Sequence, residues 1–150
     1  MNMNSPVSSI MATNIYTVSP SDTLDKVNDI FNAHQIHHVP VVQFKKLVGI
    51  ISKTDFNKVL HGSRINPAAS ELDDVVLKAY RADMLMSDHL AKIAPDDKIG
   101  VAAEIFLDNK IHALPVINEA GDLVGIVTTY DVIRYCFQQA YPNQVLDSLK

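Results

Sequence analysis

The sequence has 150 residues, about one ordinary domain or two very small ones. Its 13 Lys+Arg and 17 Asp+Glu give a formal charge of −4, which argues against a general binder of nucleic-acid backbone. Hydrophobic residues at 47% and charged residues at 20% exclude disorder as the main state and leave enough apolar side chain for a core. One cysteine, Cys136, permits no internal disulfide and fits a reducing compartment. The opening Met1-Asn2-Met3-Asn4-Ser5 lacks a basic-then-apolar leader pattern. No stretch nears the ~18 apolar residues of a membrane span. The expectation is a soluble cytoplasmic protein.

The chain is written twice. At an offset of 75, Met11 pairs with Met86, Pro20 with Pro95, Asp22 with Asp97, Ile30-Phe31 with Ile105-Phe106, Ile36-His37 with Ile111-His112, and Pro40-Val41 with Pro115-Val116. The offset then becomes 76, pairing Leu47-Val48-Gly49-Ile50 with Leu123-Val124-Gly125-Ile126 and Asp55 with Asp131. The slip falls between Gln43-Phe44-Lys45-Lys46 and Asn118-Glu119-Ala120-Gly121-Asp122, a turn, where insertions are tolerated.

In chain order, each copy opens with a short extended piece (residues 15–18; 91–94). A helix follows, with Asp22 or Asp97 expected as its N-cap. Its apolar stripe is Leu24, Val27, Ile30 and Phe31 in one copy, and Ile99, Ala102, Ile105 and Phe106 in the other, as one helix face requires. Two β-branched runs come next, 39–42 with 47–51 and 114–117 with 123–127, each pair joined by a hairpin-length turn. The runs are continuously apolar, so both sheet faces are expected to be covered. Pro40 and Pro115, without an amide donor, suit a strand start or edge. A second helix closes each copy (54–61; 130–140). Between the copies, residues 61–70 read as a loop broken by Gly62 and Pro67. Leu72, Val75, Val76 and Ala79 then make 71–81 an amphipathic helix, for packing between the repeats or for docking a partner. Residues 141–150 read as a tail.

Each half resembles a CBS domain, the module named for cystathionine beta-synthase. The motif carrying the resemblance reads HVPVV…LVGIISKTD and ALPVI…LVGIVTTYD, and covers nearly the whole chain. The resemblance implies an α/β (α+β) fold of two repeats, each a small sheet flanked by helices, related by a pseudo-two-fold axis. The organisation is then a first repeat at 8–60, a linker with an amphipathic helix at 61–82, a second repeat at 83–137 and a tail at 138–150. Such tandem modules usually pair into disc-like dimers, so a homodimer is implied. Most bind adenosine-containing ligands in the clefts between paired repeats and signal to an enzyme, channel or transporter. No further domain is visible here, so the expectation is a stand-alone module signalling to a separate, unidentified protein.

An adenosine phosphate needs an apolar slot for the purine, an acceptor pair for the ribose diol, and donors for phosphate. By the resemblance, Asp55 and Asp131 accept from the ribose hydroxyls; the plainer alternative is a first-turn helix aspartate. Ser52 and Thr128 either reach a phosphate or cap the helix. Tyr16, Ile36 and Ile50 would line one slot, and Ala91, Ile111 and Ile126 the other. His37, His38 and His112 match in part a His-Arg pair that contacts phosphates in the gamma subunit of AMP-activated protein kinase. No Arg follows here, and Ala113 has no side-chain donor, so phosphate binding should be weaker and pH-sensitive. Lys58 and Arg134, three residues beyond the aspartates, read as solvated, with closure over phosphate as the alternative. Cys136 reads as core.

His34-x-x-His37-His38 has a spacing that could ligate a metal, but the helix should end before Ile36 and no partner ligand follows. No Walker loop, GxGxxG or GxSxG is present, so neither an enzyme nor a resident cofactor is expected. The leading expectation is a sensor of AMP, ADP or ATP. The alternatives are a ligand-free interaction scaffold and a sensor of S-adenosylmethionine, whose positive sulfonium needs no phosphate donors.

Overall fold

The computed structural model describes residues 2–62 and 70–142, with backbone alone at 61, 62 and 70–73. In chain order the elements are a 3-10 turn Val7–Ser9, α1 (Leu24–Ala33), β1 (His38–Gln43), β2 (Lys46–Ser52), α2 (Lys53–Gly62), α3 (Ser70–Ala79), α4 (Ala82–Leu85), α5 (Ile99–Asn109), β3 (Ala113–Ile117), β4 (Leu123–Thr128) and α6 (Thr129–Ala140). Most of the predicted loop at 61–70, and the predicted tail from 143 on, lie outside the described residues. The fold is a mixed one, two small antiparallel sheets with helices. No described helix is long and apolar enough to cross a membrane.

The chain forms two compact units, Tyr16–Leu90 and the pair of stretches Met1–Ile15 and Ala91–Lys150. In the first, β1 pairs antiparallel with β2, Pro40 opposite Ile50 and His38 opposite Ser52. Single residues extend the hairpin on both edges. Val18 runs parallel to β1, donating to the Pro40 carbonyl at 3.1 Å and accepting from Val42 at 2.8 Å. Ser87 exchanges two bonds with Ile50 on the other edge, at 2.9 and 3.0 Å. The second unit repeats this around β3 and β4: Ile93 bonds Pro115 and Ile117, and Ala12 exchanges two bonds with Ile126. Pro40 and Pro115 therefore sit inside their strands. Their nitrogens face the edge that Val18 or Ile93 bridges only once, so the missing donor costs no ladder bond between β1 and β2 or β3 and β4.

Repeats and compact units are thus offset. The segment opening each sequence copy, Val7–Ala12 or Ala82–Ser87, pairs with the hairpin of the unit holding the other copy's strands. Val7 and Ala82, equivalent by the offset, are both fully buried. The next equivalent pair explains the motif glycines. A Cβ on Gly49 would stand 2.4 Å from Met86 Sδ, and one on Gly125 would stand 2.5 Å from Met11 Sδ. Only glycine lets these methionines cross the strand so closely.

The helical stripes face the cores as expected. Leu24, Val27 and Phe31 pack with Val39, Val41, Ile51, Phe56 and Leu77, and Phe31 meets Phe56 edge to face at 5.4 Å. Ile99, Ala102 and Phe106 pack with Val7, Ile93, Leu114, Val116, Val127 and Val132.

Three local expectations need correction. Asp22 and Asp97 do not cap α1 and α5, whose N-caps are Thr23 and Lys98. Each carboxylate instead accepts a backbone N–H three residues earlier, from Ser19 at 2.6 Å and Ala94 at 2.8 Å, closing the turn before the helix. The orphan donors at the helix starts are taken by carbonyls of distant segments, Tyr80 for Leu24 and Ser5 for Ile99. The sheets are not covered equally on both faces. β1 and β3 are buried through their centres, but β2 and β4 alternate, leaving Val48, Ile50 and Ser52, and Val124, Ile126 and Thr128, half-buried. The face of α3 is turned from its predicted stripe: Leu77 is buried while Val75 is 63% exposed and Ala79 is exposed. The side chain of Leu72 lies outside the described residues.

Candidate functional site

In both units the half-buried sheet face runs into the start of the following helix. Cross-strand partners share a face, so His38 lies beside Ser52 and Ala113 beside Thr128. The carbonyls of His37 and His112 accept from the first helical amides, Lys53 at 2.8 Å and Thr129 at 3.1 Å. Strand start, strand end and helix start are thereby tied at one point in each unit.

At α2, Ser52 Oγ accepts from the Asp55 amide at 3.0 Å and donates to Asp55 Oδ2 at 2.8 Å. Lys58 donates to Asp55 Oδ1 at 2.9 Å. Both carboxylate oxygens are engaged. The bond from Lys58, then that from Ser52, hold the Asp55 carboxyl below its ordinary value, with the His38 charge adding to the effect.

At α6, Thr128 and Asp131 form a reciprocal cap. The Thr128 amide donates to Asp131 Oδ2 at 2.8 Å and its hydroxyl to the same oxygen at 2.6 Å. The Asp131 amide returns a bond to Thr128 Oγ1 at 3.3 Å. No described residue bonds Asp131 Oδ1, and Arg134 forms no ion pair with a described residue. Asp131 and Arg134 line a cleft of about 130 Å³ with Ser9, Ile10, Tyr135 and Gln138. Residues bearing a carboxylate, a guanidinium, a phenol and an amide thus line one small cleft.

The remaining sequence-predicted residues fall as follows. Ile36 and Ile111 are half-buried against their unit's core, and Ile50 and Ile126 hold the edge bridges. His37, His112 and Ala91 are exposed, and His38 is half-buried. Tyr16 is stacked on His34, ring centroids 3.6 Å apart and planes 18° from parallel, so one face of the expected slot wall is already covered. Lys58 is the ion-pair partner of Asp55 while keeping 71% of its side chain exposed. Cys136 is half-buried beside the core. Among the described residues, no three His, Cys, Asp or Glu side chains converge as a metal would need.

Sequence reasoning missed Ser9, Ile10, Tyr135 and Gln138. Tyr135 and Gln138 carried a usable signal, since they follow Asp131 at i+4 and i+7 on one helix face. Ser9 and Ile10 carried none, because they reach the cleft only through the pairing of residues 7–12 with Pro95, Asp97 and β4.

The family model of the CBS domain matches residues 7–62 and 82–138, so the chain belongs to the CBS domain family. The chain is similar to inosine-5'-monophosphate dehydrogenase of Thermoplasma acidophilum, 30% identical over 93% of this chain and 24% of that one. It is also similar to the gamma-3 subunit of 5'-AMP-activated protein kinase of Bos taurus, 31% identical over 85% of this chain and 26% of that one. It spans about a quarter of the length of these relatives. Among solved structures it resembles CBSX2 of Arabidopsis thaliana in complex with AMP, with TM-score 0.74 and 25% identity, covering 91% of this chain and 98% of that one.

Proposed function

We propose that the chain is a regulatory module that binds an adenosine nucleotide, AMP, ADP or ATP, and signals its presence to a separate protein. The observation that carries this reading is the cleft of about 130 Å³ lined by both Asp131, one of whose carboxylate oxygens takes no bond from a described residue, and Arg134, which forms no ion pair with a described residue. In this reading Asp131 accepts from the ribose hydroxyls and Arg134 meets phosphate, while Thr128, Ile126, Ile111 and His112, which do not line the cleft, belong to the site on the adjoining sheet face. Ser52, Asp55, Ile50, Ile36, Tyr16, His37 and His38 form the equivalent, weaker site, since Lys58 and Ser52 already occupy the Asp55 oxygens. CBSX2, whose structure holds AMP, and the gamma-3 kinase subunit support the ligand class. A homodimer belongs to the proposal, and Tyr130 and Ile133, both about two-thirds exposed on α6, supply apolar surface for it.

Isothermal titration with AMP, ATP and S-adenosylmethionine tests the reading. Asp131→Ala should weaken nucleotide binding about tenfold or more, the scale of hydrogen bonds to a charged acceptor. Asp55→Ala should weaken it less. Unchanged affinity in Asp131→Ala overturns the site assignment. Binding of S-adenosylmethionine alone, which the donorless Ala113 would suit, keeps the cleft and replaces the ligand. No heat from any of the three turns the reading to an interaction scaffold.

A further inference from the structure

One wall of the Asp131 cleft is α6. The other is Ser9 and Ile10, the end of a strap formed by residues 2–10. The strap is held at several points. Val7 is fully buried in the core, and its amide donates to the Asp97 carbonyl at 2.7 Å. The Ser8 amide donates to Pro95 at 2.9 Å. Carbonyls of Ser5 and Met3 accept from Ile99 and Gly100, both at 2.9 Å, so the strap satisfies the first amides of α5. Among the described residues, the strap's side-chain hydrogen bonds to α6 all run through Tyr135. The Tyr135 hydroxyl donates to the Asn2 carbonyl at 2.7 Å, which leaves Ser5 Oγ to donate to the Tyr135 oxygen at 3.0 Å. Tyr135 is itself a wall of the cleft.

We infer that Tyr135 is a positioning residue that couples occupancy of the Asp131 cleft to docking of the strap at residues 2–10. This rests on the nucleotide reading above. A ligand in the cleft touches strap and helix together, so it binds the docked arrangement better than a frayed one and shifts the population toward docking. The coupling is reciprocal: the factor by which the ligand favours docking is the factor by which docking favours the ligand, and a loosened strap weakens the ligand by the fraction of docked molecules it removes. The strap is therefore the element through which an occupied cleft is read.

The test is hydrogen exchange at the Val7, Ser8 and Ala12 amides, with and without saturating AMP, in wild type, Tyr135→Phe and Ser5→Ala. Tyr135→Phe keeps the ring and removes the latch; Ser5→Ala loosens the latch without touching the cleft. Expected results are several-fold slower exchange at these amides with AMP in wild type, and faster exchange without ligand in both variants. AMP affinity should fall about three- to tenfold in Tyr135→Phe and less in Ser5→Ala. AMP binding that leaves strap exchange unchanged, or wild-type affinity in both variants, overturns the coupling while the nucleotide reading stands. Failure of wild type to bind AMP at all overturns the nucleotide reading and the coupling with it.

Discussion

The starts of α2 and α6 carry the same Ser/Thr-x-x-Asp pattern and differ in how their carboxylates are bonded. Asp55 is closed on both oxygens by its own helix, through Ser52 and Lys58. Asp131 spends one oxygen on a reciprocal cap with Thr128, takes no bond from a described residue on the other, and lines a cleft. One neighbour makes the difference, Lys58 against Arg134, because the Ser52 and Thr128 hydroxyls each donate to one carboxylate oxygen in the same way. A lysine at i+3 reaches back to the carboxylate, while Arg134 at the same spacing lines the cleft instead. A repeated motif thus fixes where a carboxylate stands, and its immediate neighbours decide whether it is free to take a ligand.

The largest expected effect concerns a device both units share. Gly49→Ala and Gly125→Ala each force a methionine off its strand and should cost about 1–3 kcal/mol, read by urea denaturation. Gly49→Ala should lie at the upper end, because the Met86 Cβ stands only 2.8 Å away and cannot swing aside. At Gly125 the nearest atoms are the flexible end of Met11, with the Ala12 carbonyl at 3.2 Å. A costlier Gly125→Ala would show that the segment pairing with β4 is the more rigid of the two.

A smaller effect separates the caps. The bonds at Thr128 are partly buried and those at Ser52 exposed. Thr128→Ala should therefore cost about 1–2 kcal/mol and Ser52→Ala about 0.5–1 kcal/mol, by thermal or chemical unfolding. Equal costs would show that burial of the Thr128 bonds adds nothing to that cap.

The smallest effect is in pH. The folded Asp55 carboxyl titrates below its unfolded value, so it contributes stability above the ordinary carboxylate range of about 4, lost as pH falls through the folded pKa. Lys58→Met should raise the Asp55 titration point toward its ordinary value, followed by NMR of the carboxyl carbon, and reduce the loss of stability in acid. The group is 53% exposed, so solvent screening keeps the change small. No movement of the Asp55 titration would mean that Ser52 alone holds the carboxylate.

Much of this protein was determined by the sequence itself. The duplication, the two hairpins, the helices flanking them and the capped aspartates all depend on interactions spanning a few residues: hairpin pairing, helical periodicity and an i,i+3 cap. The motif glycines were visible too, but not their purpose, which required Met11 and Met86 to be brought across the strands. Asp22 and Asp97 were misread as caps because a carboxylate before a helix can serve the turn behind it as well as the helix ahead, and only the folded backbone chooses. Tertiary structure alone decided that residues 7–12 belong with α5, β3 and β4, and so placed Ser9 and Ile10 opposite Asp131. Such pairing depends on which buried edge and which core cavity accept a distant segment. No local pattern encodes that choice, because the energy comes from burying Val7 and completing the β4 edge, both supplied by residues far away in the chain.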